Sequence, residues 1–254
     1  MPYLRRKRMK FRTEGLIIKE QNIGEQDKLI HVLTKSNGVV KAFARGAKSL
    51  KNGKSAATSL LSYSLLTFHT GRESYTVGDA RAIHIFSKLR ADVKKMCLAQ
   101  YFCELALTVC PRERAAEKYL SLILNALYLV AEDKRQPELV KPCVEMRLAA
   151  MAGYLPDLVM CRSCGVYAAP EMVFFPKTGD IECAGCFGSS SGGVLLSEAA
   201  LTALRHTVYA DDAKLFSFAL SGESLKQLNT ASEAYLRCQF EKEFKTLIFY
   251  KTML

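Results

Sequence analysis

The sequence predicts an α+β multidomain chain: an N-terminal five-stranded OB-fold β-barrel, followed by a mostly α-helical domain with an inserted four-cysteine zinc knuckle. Three observations predict it. Five short runs rich in β-branched, aromatic and leucine residues fall within the first 86 positions. From Leu89 the apolar spacing changes to a helical period, and two Cys-x-x-Cys motifs interrupt the helical part. The 254 residues suffice for one large or two or three small domains, and the near-even share of hydrophobic residues (49%) excludes disordered and low-complexity classes.

The strand candidates are 11–19, 28–34, 39–44, 64–69 and 74–85. Asn22-Ile23-Gly24, Ser36-Asn37-Gly38 and Thr70-Gly71-Arg72 supply turn chemistry between them, while the loop from 45 to 58 is too long for a tight hairpin. Five short antiparallel strands in so few residues suit a small Greek-key barrel, with an SH3-like barrel as the competing arrangement. Helical periodicity follows over 89–109, 114–131 and 138–152, with breaks at Pro111 and Pro137. Two more amphipathic segments, 197–209 with Ser197 as its N-cap and 224–243, come after the cysteines. These readings divide the chain into a basic N-terminal arm at 1–10, a barrel domain at 11–86 and a helical domain at 87–254, with the zinc-binding insertion at about 156–193.

The net charge of +11 is concentrated: residues 1–81 hold 16 basic and 6 acidic side chains, so nearly all of the excess belongs to the predicted barrel and its arm. A field of that sign attracts polyanions through counterion release, which points to nucleic acid ahead of an anionic membrane surface or a purely solubilising face. No run reaches eighteen uninterrupted apolar residues, and MPYLRRKRMK is not followed by the apolar core of a signal peptide. The expectation is a cytoplasmic, nucleoid-associated protein with no membrane partner.

Nine cysteines without an export signal argue against a disulfide framework. Cys161-Arg162-Ser163-Cys164 and Cys183-Ala184-Gly185-Cys186, eighteen residues apart, have the spacing of a two-knuckle zinc site. Each Cys-x-x-Cys turn aims two sulfurs at one ion, Gly165 and Gly185 supply backbone freedom, and four thiolates leave no position for substrate. The expected role is structural. A thioredoxin-like dithiol lacks its βαβ setting, and iron–sulfur clusters usually use other spacings. Cys97, Cys103, Cys110, Cys143 and Cys238 fall within helical patterns and read as small buried hydrophobes.

Arg45, Lys48, Lys51 and Lys54 recur at every third position of the long loop, a spacing that can track successive phosphates along an extended backbone. The loop ends in Gly53-Lys54-Ser55, like a P-loop, but Lys48 stands where that motif requires its first glycine, so a nucleotide hydrolase is disfavoured. Phe43, Phe68 and Tyr75 lie in or beside strands and are candidates for base stacking or for core. His31, His69, His84 and His206 form no catalytic constellation with a nucleophile or paired carboxylates. No catalytic residue, and hence no enzyme, is expected.

The order of these features, with several local motifs, resembles the bacterial RecO family of DNA repair proteins. The likeness is carried by Thr13-Glu14-Gly15-Leu16-Ile17-Ile18 and Gly24-Glu25-Gln26-Asp27-Lys28-Leu29 in the first hairpin, then by Arg45-Gly46-Ala47-Lys48. Its most specific part is Gly153-Tyr154-Leu155-Pro156-Asp157-Leu158 running into Cys161-Arg162-Ser163-Cys164-Gly165. It covers nearly the whole chain from Phe11, with residues 1–10 extending beyond the usual start. The resemblance implies a recombination mediator that binds single- and double-stranded DNA and anneals complementary strands. It also implies contact with the acidic, aromatic-ended tail of single-stranded DNA-binding protein through the helical domain, and joint work with RecR to help RecA load. It places DNA contacts on Arg45, Lys48, Lys51 and Lys54, and also on Lys41 and on Arg5, Arg6, Lys7 and Arg8 of the arm. The runner-up is a zinc-ribbon RNA-binding or transcription factor using the same charge for another polymer.

Overall fold

The structure is a computed structural model and describes residues 10–49, 53–71, 74–188 and 192–253. Five strands form the first part: β1 (Lys10–Ile23), β2 (Asp27–Thr34), β3 (Gly38–Ala44), β4 (Ser62–Thr70) and β5 (Tyr75–Ile85), with the four-residue helix α1 (Lys54–Ala57) between β3 and β4. β1–β2, β2–β3, β4–β5 and β1–β4 pair antiparallel, β3–β5 pairs parallel, and the ring closes in the order β1-β2-β3-β5-β4. This is the predicted five-stranded barrel. Closure satisfies strand-edge hydrogen bonds that an open sheet of this size would expose.

Alternation fills the interior. Ile17, Ile30, Val32, Val40, Leu66, Phe68 and Val77 point inward and are buried, each contributing about 1.5–3 kcal/mol. A bulge between Ile17 and Lys19 inserts one extra residue into β1, so that the strand changes which face its side chains take. α1 plugs one end with Ala57, and the hydroxyls of Ser62 and Ser64 donate to the Ala56 and Ala57 carbonyls, both at 2.8 Å.

The predicted helix over 89–109 is two helices, α2 (Ser87–Arg90) and α3 (Val93–Val109). Asp92 separates them because its carboxylate accepts from the Lys95 backbone N–H at 3.0 Å and caps α3. α3 packs against β1. The segment after it then pairs with the β2–β3 turn: Val39 N–H donates to the Pro111 carbonyl at 2.9 Å, Glu113 N–H to Asn37 at 3.1 Å and Ala116 N–H to Lys35 at 3.0 Å. Gly38 makes this approach possible. Its φ is +62°, and a Cβ there would stand 2.0 Å from the Pro111 carbonyl oxygen. Gly38→Ala is therefore expected to lower stability by about 2–4 kcal/mol, because left-handed strain adds to a clash with main chain that has no rotamer to yield. Urea unfolding of the variant beside Gly24→Ala, a left-handed glycine with nothing within 4 Å of its Cβ position, would isolate the clash.

The chain divides into two units, residues 1–127 and 128–254, and α4 (Glu117–Ala131) begins in one and ends in the other. The second unit holds α5 (Pro137–Met151), the strands β6 (Glu171–Phe175), β7 (Asp180–Cys183) and β8 (Val194–Ser197), and the helices α6 (Glu198–Tyr209), α7 (Gly222–Phe240) and α8 (Lys245–Lys251). α5 packs on α6 and α7, and α7 on β8. Ser197 caps α6 as predicted, accepting from Ala200 N–H at 3.3 Å. At the α5–α7 contact the buried Lys141 ammonium is paired with Glu145 at 3.0 Å and Glu233 at 2.8 Å, and Ser232 donates to Glu145. Buried charges of this kind persist only when compensated.

Cys97, Cys103, Cys110 and Cys143 are buried, and burial pushes the last three thiols up to about 12, which leaves them inert. Cys238 corrects the expectation for the fifth, because it lies on the solvent side of α7 and is exposed. Among the described residues, no helix is long and apolar enough to cross a membrane.

Candidate metal centre and nucleic-acid interface

The four paired cysteines converge, with sulfurs all within 4.8 Å of one another. The first pair sits on a turn that Cys161 closes twice, its N–H donating to the Val166 carbonyl at 2.8 Å and its carbonyl accepting from Gly165 N–H at 2.9 Å. Gly165 takes φ +73°, so the first knuckle does need a glycine. The second pair starts on the last residue of β7. Cys183 accepts from the N–H groups of Cys186 and Phe187 at 3.0 and 2.9 Å. Gly185 lies outside the left-handed region and has open space at its Cβ position, so the expected backbone requirement applies to Gly165 alone.

β7 brings the two turns together. Arg162 N–H donates to the Ile181 carbonyl at 2.9 Å, Cys183 N–H points at the Cys161 sulfur at 3.3 Å, and the Cys164 and Cys183 sulfurs are 3.7 Å apart. Side chains then hold the first knuckle: Arg162 bonds Asp180 at 3.1 Å and lies near Glu182 at 3.4 Å, and Ser163 donates to Glu182. From α6, the Arg205 guanidinium donates to the Leu158, Val159 and Tyr167 carbonyls and lies 4.0 Å from the Tyr167 ring, fixing the chain on both sides of Cys161-Arg162-Ser163-Cys164. Burial opposes ionisation of Cys161, but N–H groups of Cys164, Cys183 and Ser163 outweigh it and draw the thiol down to about 6. Cys186 moves the other way, to about 12, chiefly through its hydrogen bonds to the Cys164 and Cys183 sulfurs. Four sulfurs drawn within 4.8 Å of one another, with main-chain N–H groups aimed at Cys161, form a donor set that a cation would complete. These residues could hold a metal ion.

In the first unit, the turn after β3 is tied to the turn before β2. Gly46 N–H donates to the Asp27 carboxylate at 2.8 Å, Lys48 N–H to the Gln26 carbonyl at 3.1 Å, and the Lys48 ammonium to the Gly24 carbonyl at 2.8 Å. Arg45 is exposed beside this staple, Lys41 is exposed on the outer face of β3, and Lys54 is the half-buried first residue of α1. Lys48 is thus partly occupied within the protein, whereas Arg45 and Lys41 have no ion-pair partner among the described residues. Lys51 and the arm residues Arg5, Arg6, Lys7 and Arg8 lie outside the described residues. Gly53-Lys54-Ser55 opens a helix of only four residues and not the long helix of a phosphate-binding loop.

Of the three aromatics, Phe68 is fully buried in the core cluster and stacks on Phe11 at 5.1 Å, whereas Tyr75 is partly buried and packs against that cluster, edge-on to Phe11 at 5.5 Å. Phe43 is half-exposed on the outer face. Lys19 and His31 stand on that same face, and sequence periodicity did not place them there. Without the bulge in β1, alternation from the inward Ile17 puts Lys19 inside the barrel.

Comparison with known proteins places both parts of the chain. Residues 9–86 match the family model described as recombination protein O N terminal, and residues 90–248 match the one described as recombination protein O C terminal. The chain belongs to the RecO family. Curated RecO relatives named DNA repair protein RecO include one from Acetivibrio thermocellus, 33% identical over 95% of this chain and 96% of its own length. Another from Symbiobacterium thermophilum is 30% identical over 96% and 97%, and one from Dehalococcoides mccartyi is 29% identical over 96% of each. RecO proteins form a family of DNA repair and recombination, and the resemblance read from the first hairpin and the Leu-Pro-x-Leu-x-x-Cys-x-x-Cys-Gly run agrees with both matches.

Proposed function

We propose that this chain is a recombination mediator that binds single- and double-stranded DNA, anneals complementary strands and, together with RecR, helps RecA load onto DNA coated by single-stranded DNA-binding protein. The observation that carries the proposal is the match to both RecO parts in one chain whose cationic excess is confined to the barrel end. A basic surface that neutralises phosphates lowers the repulsion between two strands while their bases find register, so annealing requires positioning and charge and no bond making. The chain acts without turning over a small substrate. The DNA contacts are assigned to Arg45, Lys48, Lys51 and Lys54, with Lys41 and the arm residues Arg5, Arg6, Lys7 and Arg8 extending them. The acidic tail of single-stranded DNA-binding protein docks on the helical part, and the protein works in the cytoplasm at the nucleoid.

Cys161, Cys164, Cys183 and Cys186 would hold one zinc ion. A tetrahedral zinc shell with bonds of about 2.3 Å has sulfur edges of about 3.8 Å, close to the 3.7 Å separation of the Cys164 and Cys183 sulfurs. With four protein ligands the metal has a structural part only, joining the 161–164 turn to the end of β7.

The test is annealing of complementary oligonucleotides coated with single-stranded DNA-binding protein. The chain should speed annealing at stoichiometric amounts without ATP, and single-stranded DNA should outcompete RNA of the same sequence. Binding that favours RNA, with no annealing, would instead mark a zinc-ribbon RNA-binding or transcription factor.

A further inference from the structure

The register of the barrel sets three side chains in one row on its outer face: Lys19 of β1 stands opposite His31 of β2, and His31 opposite Lys41 of β3. At about 4.8 Å between neighbouring strands, the row spans about 10 Å. Arg112 joins it, because the segment after α3 is bridged to Gly38 at the start of β3. Lys19, Lys41 and Arg112 are exposed, and none has an ion-pair partner among the described residues. His31 is half-buried, and its Nδ1 is enclosed without a hydrogen-bond partner among the described residues. Burial first, and then the charges of Lys19, Lys41 and Arg112, hold His31 below the ordinary imidazole range. Among the described residues those three cations are the charged groups that act on it, from β1, from β3 and from the segment after α3, with no carboxylate there to offset them.

Two residues further along the same face, Leu29 stands opposite Phe43. That apolar row lies about 7 Å from the cationic one, a separation comparable to that between a phosphate and its own base. The free protein gains nothing from three unpaired cations around an imidazole whose nitrogen lacks an acceptor. An anion with several oxygens relieves the crowding of like charge by offsetting the repulsion between the three cations, and a charged imidazole then adds to its hold on the anion.

We propose that Lys19, His31, Lys41 and Arg112 form a phosphodiester site in which His31 takes up a proton as the phosphate binds, with Phe43 offering its ring to the attached base. The proposal rests on the DNA-binding reading above and adds a proton to it. The proton comes from solvent and leaves when the phosphate leaves. The bound state holds more protons than the free state, so affinity rises as pH falls, by at most about tenfold per pH unit for one linked proton.

The experiment measures binding of a fluorescent oligothymidine, whose bases stay uncharged in this range, at constant ionic strength from pH 8 to pH 6. The wild-type chain should bind about fivefold more tightly at pH 6 than at pH 8. His31→Gln should flatten that dependence, and His31→Lys, which carries a fixed charge, should bind at pH 8 at least as tightly as wild type and show no rise. Circular dichroism at both pH values checks that each variant is folded. Wild-type affinity that ignores pH, or a rise that persists in both variants, overturns the proton uptake while leaving DNA binding intact. Absence of oligothymidine binding at every pH overturns the DNA-binding reading itself.

Discussion

The chain purified without chelator should carry one equivalent of zinc, and replacing Cys161 and Cys183 together with serine should abolish it. These two are the buried members of the set, each closing its own turn through its main chain and joined to each other by the Cys183 N–H aimed at the Cys161 sulfur, so their loss removes both halves of the junction at its base. Small zinc domains draw about 10–16 kcal/mol of folding free energy from the metal. Here the second unit also has the α5–α6–α7 packing and the Lys141 network, so the effect should be confined to residues around 156–193. A loss of about 3–5 kcal/mol lowers the melting temperature of a chain this size by about 10 °C. Metal analysis and thermal unfolding are the measurements. Protein free of metal, with a melting temperature that does not respond to chelator or to the double substitution, would remove zinc from the account. Oligonucleotide binding provides the second readout: if the metal is structural and the DNA contacts lie on the barrel, the double variant should bind within about twofold of wild type below its melting point.

Much of this architecture was legible because its signals are local. Inward positions in β2 and β3 alternate cleanly from Ile30 to Val32 and from Val40 to Ala44, and each knuckle is specified by four consecutive residues. Where the reading stopped short, a particular contact or backbone conformation that periodicity does not encode decides the outcome. Asp92 could sit inside a continuous helix by periodicity alone, but its carboxylate takes the Lys95 N–H and starts a new one. Gly38 reads as an ordinary turn glycine, although its most demanding neighbour is Pro111, more than seventy residues away. Gly185 looks equivalent to Gly165 and is not, because the second turn closes without left-handed backbone. The greatest loss is at the bulge in β1, where one inserted residue moves Lys19 from the barrel interior to the face that holds His31 and Lys41. No reading of charge or alternation supplies that residue, since pairing partners alone define a bulge.

Neutralising Arg45, Lys48, Lys51 and Lys54 together with glutamine should weaken single-stranded DNA binding by about 50-fold at low salt and flatten its salt dependence. Each phosphate contact on a single strand contributes about 0.7 to the slope of log K against log salt, so losing four of them removes about 3 from the slope. The single substitutions should not be equal. Arg45 is exposed without an ion-pair partner, and its planar fork can engage two phosphate oxygens, so Arg45→Gln should account for the largest share. The Lys48 ammonium is bonded to the Gly24 carbonyl, and contact with DNA competes with that bond. Lys48→Gln should therefore cost less affinity than Arg45→Gln while loosening the staple between the 24–27 and 45–49 turns, visible as faster amide exchange at Gly46 and Lys48. Titrations across salt concentration separate a contact from a general charge effect, because a substitution that merely changes the long-range field alters the rate of encounter more than the lifetime of the complex. An unchanged slope in the fourfold variant would place the phosphates elsewhere on the chain, and retention of strand annealing by that variant would show that this loop is not where the two strands are brought together.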